Sequence, residues 1–486
     1  MRSAGLWMLL VLGTATVVTG LPVWALLIAV ASAFAAFGLA LGAFDAPVLS
    51  ALPTRLINLL DHDLLQAMPL YVFIGVLLQR TAIGDALFDC AARALRITRA
   101  APSLAGLAVG ALVAPMNGSV ASSSALLARL VAPRLKGLAS AKALALVSAG
   151  ATVGLVVPPS LVLILLGDAM MRAHTEASNL PGYTLGSQRI VNTQDVLRAA
   201  LVPALSMLVL WSVVAWAQGR RGAMTRASPV SAKAWLTAGV TALAILVLLA
   251  GVFTGHLFAV EAAATGGCLL AIHTAVTRAL DRAQWSAVLM DTLDLSGALF
   301  ALLAGATTFS LVFRLFGTDR WIAEAVLSSP LSATATALLV LAATAVCGWV
   351  LDAFEMIFVI VPIVAPLLVM QLADAQQVSV LLLLVLQAGF LLPPMGYAVL
   401  MARAQSGLPP ARMRELAPAL APYVMALLVV MAMVFVSPRA VHWLDEAPRE
   451  ASAAKPAVSE EDLVRQMREM STPPADDASA AEPATQ

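Results

Sequence analysis

Four places in this chain put glycine, proline and small polar or acidic residues inside apolar sequence. Gly154-Leu-Val-Val-Pro158-Pro159-Ser160 interrupts the apolar run 140–170, and Gly389-Phe-Leu-Leu-Pro393-Pro394-Met395-Gly396 interrupts 377–402. Proline removes a backbone donor and clashes with the preceding turn, at a cost of roughly 3 kcal/mol inside a helix. A glycine four residues before each Pro-Pro loosens the same turn. The carbonyls freed by such a break are ligands for a hard cation such as sodium, although a packing kink is the simpler reading of one isolated break. The other two places are Asn117-Gly118-Ser119, followed by Ser122-Ser123-Ser124, in the stretch 102–133, and Asp352 with Glu355 in the stretch 332–370. A turn built from Gly and small polar residues can satisfy its own backbone or bind a cation or a carboxylate. Acids within a membrane segment are a functional hypothesis by default, against the plainer reading that both are wetted from one side.

These groups need a membrane-embedded frame. Of 486 residues, 60% are hydrophobic and 12% are charged, about half the charge of an ordinary soluble domain. About 20 apolar residues cross a bilayer, and such spans recur at about 5–20, 22–44, 66–82, 140–170, 195–217, 234–252, 256–277, 289–316, 377–402 and 418–437. The apolar run resumes directly after Gly20-Leu21-Pro22, so the N-terminus reads as a span and not as a cleaved leader. Arg403 reads as a cytoplasmic anchor, Glu261 as a helix cap, and Asp291 with Asp294 as flanking a helix start. The segment from 447 to 486 is rich in Ala, Pro, Glu and Asp and reads as a disordered tail, with a short amphipathic turn at 460–470.

The two Pro-Pro breaks lie 235 residues apart, and the same offset pairs Asn117 with Asp352. From Arg80 to Lys142 there are eight basic residues and only Asp85 and Asp89 as acids; the matched window 315–377 has Arg320 against five acids. Basic loops stay cytoplasmic, so the two windows are expected on opposite faces, as in inverted-topology repeats. Reading 102–133 and 332–370 as re-entrant hairpins gives five crossings per half, an odd number that inverts the second copy. The expected organisation is therefore all-α: a first repeat over 1–217, a cytoplasmic linker over 218–233 and a second repeat over 234–446.

These residues resemble the large membrane subunit of TRAP (tripartite ATP-independent periplasmic) transporters over about 1–437. The likeness rests on Met68-Pro-Leu-Tyr-Val-Phe-Ile-Gly75 with Gly84-Asp-Ala-Leu-Phe88, on the turn at Asn117, on the Gly154 to Ser160 break, on Gly251-Val-Phe-Thr254 with Glu261-Ala-Ala-Ala264, and on Pro393-Pro-Met-Gly396. Departures are Ser123 where an Asp is usual, Leu392 where a Thr is common, a long loop at 171–194, and Gly255 to Val260 breaking up the Thr-Pro-x-Glu pattern. The resemblance implies a sodium-coupled elevator in the bacterial inner membrane that imports a small organic acid. Sodium would be the coupling ion, with no other cofactor or metal. One sodium site would use Asn117, Gly118, Ser119, Gly154 and Pro158, the other Asp352, Gly389 and Leu392. Ser122, Ser123, Ser160 and Gly396 are weaker substrate-site candidates, and Pro159, Pro393 and Pro394 are structural breaks. The implied partners are a separate four-helix small membrane subunit, a periplasmic substrate-binding protein and membrane lipid.

A stand-alone dicarboxylate symporter or sodium/proton antiporter of the same broad superfamily is the alternative. A membrane enzyme is a third reading, but the chain has no HExxH, GxSxG or Walker A sequence. A net charge of +1 gives no field for nucleic acid, and Cys90, Cys268 and Cys347 form no CxxC pair and read as buried small hydrophobes. The five histidines are scattered without metal-ligand spacing.

Overall fold

The computed structural model describes residues 3–444 except 61–62, 118, 136, 159, 179–190, 221–229, 350 and 394–395. The tail expected at 447–486 therefore lies outside the described residues, as does the amphipathic turn expected within it. Among the described residues the secondary structure is helical, without strands.

The first half runs α1 (Ala4–Thr19), α2 (Val23–Ala40), α3 (Ala46–Leu49), α4 (Ala51–Leu60), α5 (Asp63–Arg80), α6 (Ile83–Ala94), α7 (Ala101–Asn117), α8 (Val120–Leu130), α9 (Ser140–Val156), α10 (Leu161–Ser178) and α11 (Thr193–Gly219). The second runs α12 (Ala232–Phe253), α13 (Ala259–Val276), α14 (Arg282–Leu315), α15 (Thr318–Leu327), α16 (Ala333–Cys347), α17 (Ala353–Glu355), a π-helical turn at Met356–Ile360, α18 (Val361–Leu372), α19 (Ala375–Leu391), α20 (Tyr397–Gln405) and α21 (Met413–Val436).

Two kinds of helix are present. All of α19 except Gln376 is buried, and so is nearly all of α9, so these two form the centre. By contrast α12 exposes Leu236, Val240, Leu243, Leu246 and Val247, and α13 exposes Leu269 and Ile272. A helix that shows such side chains outward needs an apolar solvent, and among the described residues seven helices are long and apolar enough to cross a bilayer, or nine if two bent pairs each count as one span. The protein is a multi-pass integral membrane protein.

Helix bounds repeat at the offset seen in the sequence. Ser140 and Ala375 start α9 and α19, Val156 and Leu391 end them, and Ile83 and Thr318 start α6 and α15; each pair is 235 residues apart. The stretches expected as hairpins are each a pair of short helices. In the first, α7 and α8 both pack on α9; with 17 and 11 residues they reach about 25 and 16 Å, short of a bilayer core of about 30 Å. In the second, α16 and α18 pack on each other and on α19, although Ala353–Leu372 is by length and apolarity alone sufficient to cross.

Some expectations fail. The basic region after Arg80 contains an amphipathic helix, α6, bent by 70° from α5, and α4 lies between the spans read at 22–44 and 66–82. Asp291 and Asp294 do not flank a helix start: they lie inside the 34-residue α14, where Asp291 pairs with Arg80. Of the three cysteines only Cys90 is buried; Cys268 is exposed on α13, where a small apolar side chain tolerates lipid as well as protein. Helix α10 runs on to Ser178 through what was expected to be loop. Glu261 does cap α13, accepting from the Phe258 amide at 2.9 Å, and Arg403 donates to the Ala411 carbonyl at 3.0 Å.

Candidate ion and substrate site

Both broken helices end in the same way. The Val157 amide donates to Val153 O at 3.1 Å and the Leu392 amide to Ala388 O at 2.9 Å. Each of these residues then takes an extended conformation, with ψ of 114° and 121°. The last carbonyls of a helix have no intrahelical amide to accept from, so each break presents a cluster of acceptors in the protein interior.

Two glycines let those ends press against the neighbouring short helices. A Cβ on Gly154 would run into the Ala114 carbonyl and stand 2.9 Å from Pro115 N, at the end of α7. A Cβ on Gly389 would run into the Ala345 carbonyl, and Gly348 packs against Gly389 backbone with room for a Cβ only at 3.3 Å, at the end of α16. Backbone meets backbone at both places, so no side-chain adjustment could make room. At Gly396 a Cβ would stand 2.5 Å from Phe390 O and 3.0 Å from Leu392 O, which shows the carbonyls of the second break converging on the start of α20.

The two turns meet. Ser119 caps α8, its Oγ accepting from the Ala121 amide at 3.2 Å, and the same hydroxyl donates to Asp352 Oδ2 at 3.2 Å. Glu355 accepts from the Asp352 amide at 2.9 Å and so closes the first turn of α17. The other carboxylate oxygen, Asp352 Oδ1, is buried without a hydrogen-bond partner. An unpaired carboxylate oxygen in the interior is costly, and a hard cation is the partner such an oxygen suits best. Ser119 and Asp352, assigned from sequence to separate sites, are thus bonded to each other.

The other candidates divide. Gly154 lies against the end of α7 that Asn117 terminates, and Pro158 is buried at the break. Ser160 caps α10 by accepting from Leu163 N at 3.1 Å. Ser122 is engaged by α5, accepting from Gln79 Nε2 at 2.9 Å, and Ser123 is buried within α8. Pro393 is half-buried, while Gly118, Pro159, Pro394 and the Asn117 side chain lie outside the described residues.

Sequence reasoning missed two features. Gln387 Nε2 donates to Thr152 O at 3.1 Å and to Thr152 Oγ1 at 3.3 Å. These residues are also 235 apart, each two positions before its glycine, and both are fully buried. Two positions at the 235-residue offset thus meet in the centre of the protein. A lone polar residue at the same place in two apolar runs was the available signal. The second is Tyr397, which opens α20 and packs its ring against Phe390, with centroids 6.0 Å apart and planes tilted by 55°. Among the described residues, no cluster of His, Cys, Asp and Glu could hold a transition metal.

A buried core of broken helices, bounded by short helix pairs and an apolar outer ring, defines a membrane transport protein and not an enzyme. The chain belongs to the DctM component family of tripartite ATP-independent periplasmic transporters, whose model matches residues 8–440. It is 23% identical over 373 residues to the C4-dicarboxylate TRAP transporter large permease protein DctM of Pseudomonas aeruginosa, covering 75% of this chain and 83% of that one. It is 22% identical to the sialic acid TRAP transporter large permease protein SiaM of Vibrio cholerae, covering 78% and 86%. In fold it is similar to the YdaH transporter of Alcanivorax borkumensis, with a TM-score of 0.54 at 15% identity over 81% of this chain and 89% of that one.

Proposed function

We propose that this chain is the permease of a sodium-coupled importer of small organic acids in the bacterial inner membrane. The observation that carries the reading is the Ser119–Asp352 contact, with its unpartnered buried carboxylate oxygen, set between two glycine-tight helix breaks that offer carbonyl ligands. Sodium binding there neutralises Asp352 and ties the two turns together. Asn117, Gly154 and Pro158 contribute on the first side, and Gly389 and Leu392 on the second.

The reading extends to an elevator motion. The two halves are inverted repeats, and the core of α7 to α10 and α16 to α20 moves against a frame that includes α2, α5, α12, α13 and α14. The contacts between distant joints support that sidedness. Arg314 on α14 pairs with Glu176 on α10 at 2.5 Å, where the charge pattern places both ends outside. Arg80 pairs with Asp291, where it places both inside. A small four-helix membrane subunit braces the frame, and a periplasmic binding protein delivers the cargo. Relatives named for C4-dicarboxylate, sialic acid and 2,3-diketo-L-gulonate support an anionic cargo.

The test is uptake of labelled organic acids into proteoliposomes with the small subunit co-purified, with and without an inward sodium gradient and the binding protein. Uptake that needs both supports the tripartite importer. Uptake that proceeds without binding protein replaces it with a stand-alone carrier.

A further inference from the structure

Between α10, α14 and the second helix pair lies a cavity of about 300 Å³ that this far has no role. Its floor is Ile357, Phe358 and Pro362, on and just after the π-helical turn that follows Asp352 and α17. Its walls carry Arg55 from α4, Arg172 from α10 and Arg314 from α14, with the hydroxyls of Thr307 and Ser310. A second cavity of about 210 Å³ shares Glu176, Ser310 and Arg314 and adds Arg320 and Asp319. Four arginines thus face Glu176 and Asp319, with Asp168 behind Arg172 as its helix partner. The positive charge comes from four separate elements, so it is a property of the cavity and not of one helix face.

We propose that this cavity is the anion-receiving vestibule of the transporter, in which Arg314 exchanges Glu176 for a carboxylate of the cargo. The proposal rests on the importer reading above. Arg314 and Glu176 are each about one-third exposed, so a small anion can reach the pair. The guanidinium can hold a second carboxylate through its planar fork, and Ser310 and Thr307, one turn and two turns before it on α14, can donate to the same anion. The pair joins α14 to α10, helices that the elevator reading puts on opposite sides of the sliding surface. Cargo that takes Arg314 from Glu176 therefore also loosens that link. The floor leads to the turn carrying Asp352, so anion and cation would occupy neighbouring positions on one hairpin. The ligand class is a small anion with at least one carboxylate. A permanently neutral analogue is excluded.

The test is charge-selective cysteine modification, which needs no knowledge of the cargo. Ser310→Cys and, separately, Thr307→Cys are introduced with Cys90, Cys268 and Cys347 changed to serine. Each protein is treated in proteoliposomes with an anionic ethylsulfonate and a cationic trimethylammonium methanethiosulfonate, each rate being divided by that with a free thiol. The expected result is at least tenfold faster normalised labelling by the anionic reagent. Adding Arg314→Gln should reduce the preference severalfold, the other three arginines remaining, and Glu176→Gln should increase it. Succinate should slow labelling where dimethyl succinate does not. Equal rates, a cationic preference, a preference unchanged by Arg314→Gln, or no labelling at either position overturns the vestibule. If the preference fails while sodium-driven uptake persists, the vestibule falls and the importer stands. If the preference holds but no organic acid is taken up, the anion site stands and the importer reading falls.

Discussion

At the first break, the neighbouring turn supplies Asn117 and Ser119, which are neutral; at the second it supplies Asp352 and Glu355. The backbone is nearly the same at both, with a glycine pressed on a neighbouring carbonyl and an extended residue four positions after the last helical acceptor. The helix that follows differs: α10 has 18 residues and α20 has nine. Shared backbone with unshared charge means that both breaks offer carbonyls to the proposed sodium ions, while only the second turn adds a formal negative charge. The first turn reaches that charge through Ser119. The comparison separates what the fold demands from what one half adds.

The largest effect should come from the shared part. Gly154→Ala and Gly389→Ala each drive a Cβ into a backbone carbonyl. Overpacking of a tight site costs about 1–3 kcal/mol, and here no side chain can swing aside. Both variants should lower sodium-driven uptake by about tenfold or more and lower the unfolding temperature, read on one preparation by uptake and thermal melting. An indifferent Gly154→Ala would break the equivalence of the two breaks.

Asp352→Asn comes next and acts on the unshared part. It keeps shape but removes charge, so the sodium concentration for half-maximal uptake should rise about tenfold, corresponding to about 1.4 kcal/mol, with folding unchanged. Ser119→Ala removes one hydrogen bond to a charged group, worth about 1.5–3 kcal/mol where it is fully formed. The double variant should be less than additive, because the residues are in contact. Strict additivity, measured by sodium titration of all four proteins, would place the two residues in independent sites.

Much of this contrast was legible in the sequence. Pro158 and Pro393 stand out because each opens a Pro-Pro pair inside an apolar run, and the 235-residue spacing of the two breaks is the spacing of α9 and α19. Helix α6 was hidden because its charges, Asp85, Asp89 and Arg93, look like those of a loop; Arg134 from beyond α8 gathers two of them, at 2.9 and 3.2 Å. The Ser119–Asp352 bond joins residues 233 apart. The repeat paired Asp352 with Asn117, and a contact two residues away from that equivalence is set by how the halves dock, which spacing alone does not encode.

A moderate effect is expected at the central contact. Gln387→Leu removes both hydrogen bonds to Thr152 and leaves an apolar side chain of similar size between α9 and α19. A neutral hydrogen bond contributes about 0.5–1.5 kcal/mol, so uptake should fall by a few-fold. Because the contact serves both halves, the response to sodium and to substrate should weaken together. A change confined to one of them would show that Gln387 belongs to the second break alone.

The smallest effect is the most discriminating for the charge. Glu355 both closes the first turn of α17 and adds a second carboxylate beside Asp352. Glu355→Gln keeps an oxygen that can accept from the Asp352 amide, so the turn should hold and stability should change by less than about 0.5 kcal/mol. Glu355→Ala loses the cap and should cost about 1 kcal/mol. If Glu355 serves only as a cap, sodium activation follows stability: normal in the Gln variant, weakened in the Ala variant. If its charge also draws the cation, both variants weaken sodium activation equally while only the Ala variant melts earlier. Sodium titration beside thermal melting of the two proteins decides between one carboxylate at this site and two.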